Sequence, residues 1–166
     1  MRLSEIRVKR INMTQEIKLT TDQMRLMSLF QNVTGATARD CVEDEKQNRI
    51  IFVVNSGKMG LAIGKGGSHI KSLQNIIKKN VELVEFNEDP ATFLKNMLNS
   101  KLVSEVKLNK RDDGSLQAIV IVDPEKKGIV VGREGRNEEK ARLLAKRYFN
   151  ISRVLINSPE RTTFEL

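Results

Sequence analysis

Two tetrapeptides in this chain hold residue types suited to gripping an anion: Gly64-Lys65-Gly66-Gly67 and Gly132-Arg133-Glu134-Gly135. Each follows an apolar triplet and opens a basic run with helical spacing. Glycine loses the most backbone freedom on ordering, so glycines beside a helix signal unusual dihedral angles or a close approach. In the first copy, Gly64 is expected to close one helix and Ser68 to cap the next. The second helix then presents free backbone N–H groups and the positive end of its dipole, which together attract an anion. With no Cβ on the loop, a phosphodiester backbone can reach van der Waals contact, and Lys65 adds charge without blocking it.

Two mononucleotide motifs fail on the same residues. A Walker loop would need its first glycine where Met59 stands and a Ser or Thr where Gly66 stands. The dinucleotide pattern opens correctly on Gly64 and Gly66 but meets His69 where its last glycine belongs. A nucleotide-binding enzyme is therefore the least supported reading. His69 is the only histidine, so no nucleophile–base–orienter set is present and no catalysis is expected. It has no clustered partners for a metal and reads as a solvated or a helix-start residue, with contact to phosphate as a further role. No metal and no other cofactor are expected.

Charge follows the loops. The chain has 166 residues and a net charge of +8. Residues 57–80 carry Lys58, Lys65, Lys71, Lys78 and Lys79 with no acid, and residues 126–147 carry eight cations against three glutamates. Each segment is +5, so the rest of the chain is slightly acidic. Patches of one sign steer polyanions to a surface. No apolar run is long enough to span a bilayer, no signal-peptide pattern opens the chain, and the single Cys41 excludes a disulfide framework. A cytoplasmic protein without membrane contact is expected. Cys41, Met24 and Met27 read as packing residues.

The elements that must position the loops repeat as well. Residues 58–79 align with 126–147 at an offset of 68 without a gap. Lys58 falls on Lys126, Gly60 on Gly128, Gly64 on Gly132 and Gly67 on Gly135. The triplets Leu61-Ala62-Ile63 and Ile129-Val130-Val131 coincide. In the first copy, Thr20 and Gln23 form a capping box for a helix that stops at Gly35. A weak strand from Ala36, a polar turn "DEKQN" and the β-branched strand "RIIFVV" follow, and the acid–base stretches "DEKQNR" and "KRDDGS" are expected to face solvent. Next come the short helix "KMGLAI" and a helix from Ser68 to Lys79 with Ile70, Leu73, Ile76 and Ile77 on one face, then the strand "VELVEF". The second copy begins with Pro90 at a first helical position, runs through strands joined by "KRDDGS", and repeats the short helix, long helix and final strand. The order in each copy is α-β-β-α-α-β.

A Gly-x-x-Gly loop between two helices of such a unit, present twice with its surroundings, resembles the KH domain in its prokaryotic type II topology. The resemblance covers residues 17–88 and 89–158, leaving an N-terminal extension at 1–16 and a tail at 159–166. It implies an α+β fold of two tandem KH domains. The join "NEDP" is too short for a flexible tether, so the domains are expected to be rigidly joined. In this family the loop clamps about four nucleotides of single-stranded RNA, with bases in an adjacent apolar groove. That groove is expected to use aliphatic side chains, with Val53 and Ile121 near it. This suits a chain with no Trp, one Tyr and no aromatic beside either loop, and it disfavours RRM and oligonucleotide-binding barrels.

The contacts implied in the first unit are Lys58, Ile63, Gly64, Lys65, Gly66, Gly67, Ser68, Ile70 and Lys71. In the second they are Lys126, Lys127, Val131, Gly132, Arg133, Glu134, Gly135, Arg136 and Lys140. Glu134 brings a negative charge to a phosphate site, so the two units need not bind equally. Two KH units with almost no linker are similar to the archaeal NusA family of transcription termination/antitermination factors. The resemblance does not extend to the polymerase-binding part or the RNA-binding barrel of the bacterial members. RNA is thus the expected partner, RNA polymerase a further candidate, and the chain is expected to be a monomer. A KH protein of ribosome biogenesis or RNA processing is the alternative.

Overall fold

The structure, a computed structural model, describes residues 17–159. The expected N-terminal extension and nearly all of the expected tail lie outside them. The chain divides into two compact units that meet at Asp89 and Pro90.

In the first unit, helix α1 spans Thr21–Thr34, strand β1 Ala38–Asp44, strand β2 Arg49–Val54, helix α2 Met59–Ile63, helix α3 Ser68–Ile77 and strand β3 Asn80–Glu85. The capping box forms as expected. The Gln23 backbone N–H donates to the Thr20 hydroxyl at 3.2 Å, and the Thr20 N–H donates to Gln23 Oε1 at 2.9 Å. Strand β2 is central, antiparallel to β1 and parallel to β3. A parallel pair cannot be joined by a hairpin and needs a crossover of a dozen or more residues. Helices α2 and α3 make that crossover, so the glycine loop is the hinge in the middle of the connection.

Every residue of β2 is buried, as its unbroken apolar run implies. Phe52 stacks on Phe30 of α1 with ring centroids 4.6 Å apart, and Cys41, Ala62, Leu73 and Val81 complete the core around them. Three expectations fail here. Ile76 is exposed, at the margin of a helical face from which only Ile70, Leu73 and Ile77 reach the core. Met24 is also exposed, on the outer side of α1, while Met27 packs against the core. The "DEKQNR" stretch is not wholly solvent-facing. Arg49, its last residue, is fully buried, donating from Nε to Asp44 at 2.8 Å and from Nη1 to Glu82 at 2.8 Å.

The second unit repeats the order. Helix α4 spans Pro90–Leu98, strand β4 Val103–Lys110, strand β5 Leu116–Val122, helix α5 Lys127–Val131, helix α6 Arg136–Phe149 and strand β6 Ile151–Asn157. Strand β5 is central, antiparallel to β4 and parallel to β6. Phe93 of α4 meets Tyr148 and Phe149 of α6 edge-on, each at 5.6 Å, in place of the stacked pair of the first unit. At the β4–β5 turn, the Ser115 hydroxyl and N–H both donate to Asp113 and hold its carboxyl below the usual range. Among the described residues, no helix is long and apolar enough to cross a membrane.

Candidate nucleic-acid interface

The two loops match residue by residue. Gly64 and Gly132 sit at φ/ψ of 73/166° and 81/165°, a region that is essentially glycine-only. Gly66 and Glu134 occupy the left-handed region at φ 63° and 56°, and Gly67 and Gly135 do so at 74° and 71°. A tight 3-10 turn results, closed by Gly67 N–H on Gly64 O at 3.1 Å and by Gly135 N–H on Gly132 O at 3.0 Å.

Gly64 and Gly132 answer a second demand that the sequence did not reveal. A Cβ on Gly64 would lie 2.7 Å from the His69 ring, and one on Gly132 would lie 2.9 Å from the Asn137 side-chain amide. His69 Nδ1 stands 2.8 Å from the Leu61 carbonyl oxygen. A carbonyl only accepts, so Nδ1 carries the proton. The ring therefore ties the end of α2 to the start of α3 across the hinge. His69 is thus a helix-start residue, as one of the two readings had it, and a clasp across the hinge rather than a freely solvated side chain.

Ser68 is not the cap. It has helical angles, φ −59° and ψ −39°, and Gly67 takes the cap position in the left-handed region. No side chain caps α3 or α6. The first helical N–H of each, that of Ser68 or Arg136, donates back to the turn at Lys65 O or Arg133 O, and no side chain caps the positive end that follows. The outer face of the turn is also open. A Cβ at Gly66, Gly67 or Gly135 would meet nothing within 4 Å.

Around the loops, Lys58, Lys65, Lys71, Lys126, Lys127, Arg133 and Glu134 are exposed and Arg136 is half-buried. Ile63, Ile70, Val131 and Ile121 are half-buried, whereas Val53 is fully buried. Lys140 lies on the inner side of α6 with 8% of its surface exposed, so it is not brought to the open face. Glu138 and Glu139 both accept from Arg142, at 3.1 and 3.0 Å. Within each unit, then, the structure gathers the end of a short helix, a bare-backbone turn, an uncapped helix start and a fringe of cations. Such a site suits a phosphate backbone.

Residues 25–111 match the KH domain family, a span that holds the first loop and ends just beyond β4. The chain is 36% identical to the "Probable transcription termination protein NusA" of Halobacterium salinarum, over 81% of this chain and 94% of that one. It is 32% identical to the protein of the same description from Methanococcus vannielii, over 84% of this chain and 79% of that one. The crystal structure of APE1850 is 35% identical, with a TM-score of 0.77, and the match covers 84% of this chain and all of that one.

Proposed function

This chain belongs to the NusA family of transcription termination proteins, built on KH domains, and we propose that it grips the backbone of single-stranded RNA through its two Gly-x-x-Gly turns. It is an RNA-binding protein acting in transcription termination and elongation, a non-enzymatic factor. The observation that carries the grip is the duplicated turn itself: an open glycine face before an uncapped helix start, fringed by lysines, in each unit.

Residues 17–88 and 89–158 are the two binding domains in this reading. In the first, the phosphates run over Gly64, Gly66 and Gly67 toward the start of α3 at Ser68, within reach of Lys58, Lys65 and Lys71. Ile63 and Ile70 offer their exposed portions to the bases. In the second, Gly132 and Gly135 play the same part with Lys126, Lys127, Arg133 and Arg136, and Val131 is the aliphatic contact. Lys140 is left out because it is buried. Glu134 opposes phosphate, so the second turn binds more weakly. The four residues between β3 and α4 support a fixed relation between the domains and one strand of RNA engaging both. The proposed protein is a monomer, with RNA polymerase as a further partner drawn near through the transcript.

The test is the double substitution Lys65→Asp with Gly66→Asp. Both positions are exposed and the space above Gly66 is open; its left-handed angles cost a side chain about 1–2 kcal/mol, a strain the second copy already bears at Glu134, and a melting curve run beside the titration shows that the variant is folded. Affinity for a short single-stranded RNA is expected to fall at least about ten-fold. Unchanged affinity in a folded variant would count against the reading.

A further inference from the structure

Strand alternation gives the second sheet two unlike sides. Ala118, Val120 and Val122 of the central strand are fully buried on the inner side, where α4 and α6 pack. Gln117, Ile119 and Ile121 take the outer side. The ladders set Ile119 between Lys107 of β4 and Leu155 of β6, and set Gln117 beside Arg153. Ile119, Ile121 and Leu155 are half-buried, and the residues around them, Glu105, Lys107, Asn109, Arg153 and Asn157, are all exposed. Ile121 thus turns away from the helices that carry the glycine turn.

A strand with one side in water is expected to alternate apolar and polar residues. Strand β5 does not: "AIVIV" is the unbroken run of a strand covered on both sides. The first copy shows that pattern satisfied. Ile51 and Val53 align with Ile119 and Ile121 and lie opposite the helix-facing Ile50, Phe52 and Val54, and both are fully buried. The second copy keeps the aliphatic row and leaves it partly open.

We infer that the outer side of the second sheet is a docking surface for a partner protein, which lays an amphipathic helix across Ile119, Ile121 and Leu155 and turns carboxylates toward Lys107 and Arg153. Such docking is independent of the RNA-binding reading above. A helix suits the site because helices already cover the inner side of the same narrow sheet. Acidic flanks suit it because two cations stand at the apolar spot against the single Glu105. RNA is disfavoured, since sheets that hold bases stack them on aromatic rings and this side has none. A second copy is disfavoured too, because stacking the face on itself would set four cations against two acids.

The experiment places a photoreactive amino acid at Ile119 of the full chain in growing cells. Crosslinked products are treated with ribonuclease and the joined peptides are mapped by mass spectrometry. The expected product is another protein, joined at a segment with aliphatic residues at helical spacing and aspartate or glutamate beside them. Lys107→Glu with Arg153→Glu is expected to cut its yield at least about five-fold, because carboxylates then face carboxylates. The same pair should leave the melting temperature unchanged and lower RNA affinity less than about two-fold at physiological salt, where distant charges are screened. Crosslinks to RNA alone, to a second copy, or to a basic or wholly polar segment overturn the inference. So does a yield no higher than from the same photoreactive group at the exposed Asp112, or an unaltered yield in the charge-reversed variant. A larger loss of RNA affinity in that variant would make this side an RNA surface and overturn it as well, while the glycine turns are judged by their own variant.

Discussion

At the scale of single residues, the turns are built from positions where side chains are penalised for different reasons. Gly64 combines glycine-only angles with a clasp side chain filling the space of its Cβ. Gly64→Ala is therefore expected to destabilise the protein by about 1–3 kcal/mol, read from the denaturant midpoint. A cost of a few tenths would contradict the clasp. Glu134 is the reverse case, a carboxylate residue held at φ 56° where the first copy has Gly66. Glu134→Gly should stabilise by about 1 kcal/mol and also tighten RNA binding, because it relieves left-handed strain and removes a charge of the wrong sign. Thermal melts and RNA titration of the same variant check both halves. The glycines were legible in the sequence, because angle requirements act directly on residue type. The clasp was not, because the bond from His69 to Leu61 O depends on two helices folding back across the hinge.

At the scale of elements, periodicity and caps carried the reading of the helices, and a β-branched run carried that of β2. These signals failed where one partner decides the environment of another. Nothing local to "DEKQNR" announces that Arg49 is enclosed between Asp44 on the antiparallel neighbour and Glu82 on the parallel one. The cluster gives a charged anchor to a central strand that is otherwise apolar throughout. A one-residue slip would pull the guanidinium from both carboxylates, so the cluster fixes the register. The second sheet has Gln117 at the equivalent place. Arg49→Met would strand two carboxylates, one of them buried, and is expected to cost about 3–5 kcal/mol by chemical denaturation. A loss below 1 kcal/mol would show that the cluster contributes little to holding the sheet. Expectations for Ile76 and Met24 failed for a simpler reason, since each sits at the margin of a helical face and only the packed neighbours decide which side of it is covered.

At the scale of the whole molecule, duplication is the main organising fact. One α-β-β-α-α-β unit occurs twice, and in both a parallel crossover places a glycine hinge between two helices. Together the two loop segments hold more positive charge than the net +8 of the chain. An attraction so concentrated weakens as salt rises. The fold class could be read in advance because repetition multiplies weak local signals. The exposure of Leu61 and Ile129 could not, because it is a property of the folded surface. The most direct measurement is amide chemical-shift mapping of the full chain with a single-stranded RNA long enough to reach both turns. The first and largest shifts should fall at Gly64–Lys71, with a weaker set at Gly132–Arg136, and both should fade as salt is raised. Silent turns, with the shifts lying elsewhere on the surface, would contradict the account.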